Sequence, residues 1–81
     1  METLDELYAS VRALIAELRD AGHEDAAVRL RAGMDGATSG EILENLWFAL
    51  REVRPAAPEV ARVDDALAFV DRALGPPGPG R

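Results

Sequence analysis

The sequence predicts an all-α fold, a small three- to four-helix bundle of three long helices and one short one. Three observations carry that expectation. Apolar residues recur at steps of three and four along most of the chain. No segment alternates with the period of two that a half-buried strand requires. Ser, Thr, Gly and Pro stand where helices start and stop.

The first helix is expected over residues 4–21. Thr3 and Glu6 have the spacing of a capping box, and Leu4, Leu7, Tyr8, Val11, Leu14, Ile15 and Leu18 line one face. Gly22 supplies a left-handed stop. The second, short helix is expected over residues 24–32, with a weaker face of Ala26, Ala27 and Leu30. Gly33 and Gly36 bracket the turn after it. The third is expected over residues 39–54. Thr38 and Glu41 repeat the capping spacing, and Ile42, Leu46, Ala49, Leu50 and Val53 form its apolar face, widened by Leu43 and Trp47. Pro55 is expected to end it, because its ring clashes with the preceding turn. The fourth is expected over residues 58–74, with Pro58 at the first helical position and Val60, Val63, Leu67, Val70 and Leu74 spaced as a bundle seam. Residues 1–75 then form a single helical domain, and the Pro/Gly run 76–81 reads as a disordered tail. Short connections favour antiparallel neighbours. The long helices supply the core, with the short one across an end or in a fourth corner.

Composition narrows the function. With 81 residues the chain supports one domain near the small end of what buries a usable core, so dimerisation would be a natural supplement. It has no Cys, which removes disulfides, thiolate catalysis and iron–sulfur ligation. Its one His removes paired-His metal motifs, and no metal site or cofactor is expected. Fifteen acidic against nine basic residues give a net charge of −6, the wrong sign for non-specific nucleic-acid binding. No apolar run approaches the roughly 20 residues of a membrane span, and no basic-then-apolar leader is present, so no membrane association and a cytoplasmic location are expected.

Most of the charge pattern follows the helix dipole. Glu2, Asp5, Glu6, Glu41, Glu44 and Glu59 crowd helix starts, while Arg19, Arg31, Arg51, Arg54 and Arg72 lie near ends. Asp64, Asp65 and Asp71 make an acidic stripe that would suit a basic partner. No catalytic constellation emerges. A Ser-His-Asp set can be written from Ser10 or Ser39, His23 and any Asp, but nothing fixes a base beside the nucleophile. No enzyme is expected.

One resemblance bears on Ser39. Acyl carrier proteins are about this long, acidic and four-helical, and carry a phosphopantetheine-bearing Ser at the start of a helix. Ser39 opens a helix near mid-chain and resembles that placement, which implies a prosthetic group on Ser39. Those proteins carry Asp-Ser-Leu after a long loop, whereas here the run is Thr38-Ser39-Gly40 after a helical segment. The stretch from Thr38 to Glu52 also resembles small bacterial helical proteins, which implies no activity.

The aromatics ask for a further explanation. At ~100° per residue, Phe48 lies nearly opposite the apolar face of its helix, among Glu41, Glu44, Arg51 and Glu52. Trp47 lies at the edge of that face, Phe69 falls off the seam of the fourth helix, and Val28 falls opposite Ala26 and Leu30. Either the third helix is buried on two sides, or these residues meet another protein. The expected function is a small acidic protein–protein interaction module (adaptor, regulator, or an inhibitor of the immunity type). Its partner-binding candidates are Trp47, Phe48, Phe69, Glu44 and Arg51, and its partner is another protein, basic in one version, or a second copy in a homodimer. Carrier function through Ser39 and self-association in a structural role are the alternatives.

Overall fold

A computed structural model describes residues 1–75; the expected tail at 76–81 lies outside the described residues. The chain forms α1 (Leu4–Asp20), α2 (Glu24–Gly33), α3 (Ser39–Ala56) and α4 (Ala61–Leu74), and the described residues contain no strand. Helix α1 packs on α2, α2 on α3, α3 on α4, and α4 back on α1. The four helices therefore close a ring, and the short α2 takes the fourth corner between α1 and α3.

Each helix turns its periodic face inward. Leu7, Val11, Leu14 and Leu18 of α1, Leu30 of α2, Leu46 and Leu50 of α3, and Val63 and Val70 of α4 are fully buried. Burial of side chains this size contributes about 1.5–3 kcal/mol each, and chain entropy offsets most of the total. Among the described residues no charged or polar one is buried with them. Ala27, Ala49 and Ala66 are buried among them.

The helix ends follow the side chains. Glu6 N–H donates to Thr3 Oγ1 at 3.2 Å, and Glu41 N–H donates to Thr38 Oγ1 at the same distance. The return half of each expected box differs. The Thr3 hydroxyl donates to the Glu6 carboxylate, while Glu41 accepts from Ala37 N–H, one residue before the cap. At the end of α1, Gly22 takes φ +88°, Gly22 N–H bonds Arg19 C=O, and His23 N–H bonds Leu18 C=O. That pair of bonds is a Schellman stop.

Two proline readings are corrected. Helix α3 does not end before Pro55 but runs through it to Ala56, and Ala57 N–H still bonds Val53 C=O at 2.9 Å. Pro55 lies on the exposed side one turn beyond exposed Arg51, so the carbonyl it cannot satisfy faces water. Helix α4 starts at Ala61 and not at 58. Pro58 instead holds the second position of a turn closed by Val60 N–H on Ala57 C=O at 3.1 Å. Ala57 and Val60 are both buried and pin that turn to the core, which delays the helix.

Candidate protein-binding face

The inward register of α2 and α3 dictates what faces out. Ala27 and Leu30 point to the core, so Val28, ~100° further round, is 56 % exposed. Leu46, Ala49 and Leu50 point to the core, so Phe48 is 47 % exposed. The helices are adjacent, and these two side chains line one cleft of about 570 Å³ together with Asp25, Arg29, Ala32, Gly33, Asn45 and Ala49. Three of its lining residues, Ala32, Gly33 and Ala49, are small. A Cβ added at Gly33 would already touch Leu46 Cδ2 at 3.4 Å.

Asp25 and Arg29 are the charged side chains that line the cleft, and others lie nearby on α3. Arg29 of α2 grips Glu52 of α3 with two nitrogens, Nη2 donating to Oε1 at 2.7 Å and Nε to Oε2. Both side chains remain half exposed, so the pair fixes the two helices together while presenting both signs to solvent. Glu44 and Arg51 are also exposed. Arg51 lies over the Trp47 ring, its guanidinium carbon 4.5 Å from the centroid. The Trp47 and Phe48 rings meet edge to face at 4.9 Å.

The structure thus gathers Trp47, Phe48 and Arg51 into one cluster but gives them different exposure. Trp47 is only 7 % exposed, and its Nε1–H donates to Asp71 of α4 at 2.6 Å. Phe69 packs half-buried against the core on α4. Asn45 and Ala32 were not singled out in the sequence, and Arg29, which the spacing pairs with Asp25 one turn away, is bonded to Glu52 instead. Their signal was only that residues 25, 28, 29 and 32 share a helix stripe, which matters once α3 is known to lie beside it.

The acidic stripe on α4 is largely engaged within the molecule. Asp64 pairs with Arg54 at 2.9 Å, and Asp71 accepts from Trp47. At the opposite side, Arg62 donates to Glu17 at 3.1 Å and ties α4 to α1. His23, in the turn before α2, bonds Glu59 in the connection before α4. The Glu59 carboxyl is held below its ordinary value by its own backbone N–H first and by His23 second. A depressed carboxylate contributes stability above the unfolded pKa, ~4.3, which is lost as pH falls through the folded value. Glu59→Gln should therefore melt below wild type at neutral pH, and the gap should close in thermal scans below the folded value. A gap that stays constant with acidification would contradict a Glu59 carboxylate stabilised in the folded protein.

Ser39 is exposed as the first residue of α3. Only residues 34–38 separate it from α2, so the long loop that precedes the modified Ser of acyl carriers has no counterpart. Among the described residues no cluster of His, Asp and Glu is arranged to hold a metal ion, and no helix is long and apolar enough to cross a membrane. Compared with known proteins, the chain matches no family model, no curated protein and no solved structure.

Proposed function

We propose that the chain is a small acidic protein–protein interaction module, not an enzyme, and that it binds through its α2–α3 face. The observation that carries this reading is the convergence of Val28 and Phe48, from different helices, on one cleft. Single exposed apolar side chains are ordinary. An exposed aromatic beside a recess, with Arg29 in its lining, has the make-up of a binding hot spot. In this reading Phe48 is the anchor, Val28 widens it, and Arg29, Glu44, Arg51 and Glu52 form the polar rim. Trp47 supports Phe48 from beneath and touches a partner little.

The test is a substitution that separates binding from folding. Phe48→Ala is expected to cost stability only about 0.5–1.5 kcal/mol, from the lost edge contact with Trp47. As a buried interface aromatic it should cost binding at least 2 kcal/mol, about thirty-fold. Capture of a partner on the immobilised protein, wild type against Phe48→Ala, with melting curves of both, checks this. Capture that persists in Phe48→Ala would remove the α2–α3 face from the function.

A further inference from the structure

We draw no further inference here: the strongest candidate, the exposed apolar face where Val28 of α2 and Phe48 of α3 line one cleft, belongs to the site already described, and nothing in the structure shows what covers it.

Discussion

Trp47→Ala is expected to destabilise the protein by about 3–5 kcal/mol, the range for emptying a large aromatic site in a core. The indole is 7 % exposed and lies between α3 and α4. Its removal opens a cavity, removes the indole N–H that Asp71 accepts, and takes away the surfaces that Phe48 and Arg51 rest on. A domain of this size has a total stability of about 4–12 kcal/mol, scaling per residue, so the variant is expected to be partly unfolded at room temperature. Trp47→Phe should cost much less, about 1–2 kcal/mol, because an aromatic ring still fills the site. What is lost is mainly the hydrogen bond, and Asp71 is exposed enough to hydrate. Urea titration followed by far-UV circular dichroism checks the series. A Trp47→Ala protein as stable as Phe48→Ala would show that the two aromatics are not divided between core and surface in this way.

Gly36→Ala is expected to cost about 1–3 kcal/mol, and the cause is space and not backbone conformation. Gly36 does not have positive φ; among the described glycines only Gly22 and Gly75 do. A Cβ at Gly36 would sit 2.9 Å from the Ile42 nitrogen and 3.0 Å from Glu41 Cβ. Those atoms belong to the first turn of α3, which is held in place by the Thr38 cap. The turn must shift or the 34–38 connection must move out, which is overpacking against backbone. Gly33→Ala is the control. Its nearest neighbour is the flexible end of Leu46, and alanine's better helix propensity, up to about 1 kcal/mol, offsets the contact. Thermal melting of the pair should show a clear loss at Gly36 and little change at Gly33. Equal effects would mean that helix propensity and not the close approach governs both sites.

The helices were legible in the sequence because their signals are local. Capping pairs, Gly22 and the three-and-four spacing act within one or two turns, and the structure agrees to within a few residues at most ends. The proline errors share a cause: the rules for Pro55 and Pro58 concern backbone conformation, while the outcome was decided by which carbonyl faces water and by burial of Ala57 and Val60. Phe48 and Val28 were legible as off-face residues, since a helical wheel needs only sequence spacing. Their convergence on one cleft was not, because it depends on α2 lying beside α3. Trp47 stood at the edge of a wheel drawn with one apolar face, but α3 packs against both α2 and α4. Its burial is therefore a property of the bundle. The His23–Glu59 and Arg29–Glu52 contacts span 36 and 23 residues and carry no local signal at all.

The account's central claim is that α2 and α3 present the binding surface. The most direct measurement is the change in amide chemical shifts of the isotopically labelled protein on titration with the captured partner. The account predicts that the shifts that move are those around Asp25, Val28, Arg29 and Ala32 on α2 and Asn45, Phe48 and Glu52 on α3. The outer residues of α1, such as Arg12 and Ala16, should stay still. Movement centred on α1 and α4, with the α2–α3 cleft unchanged, would contradict it.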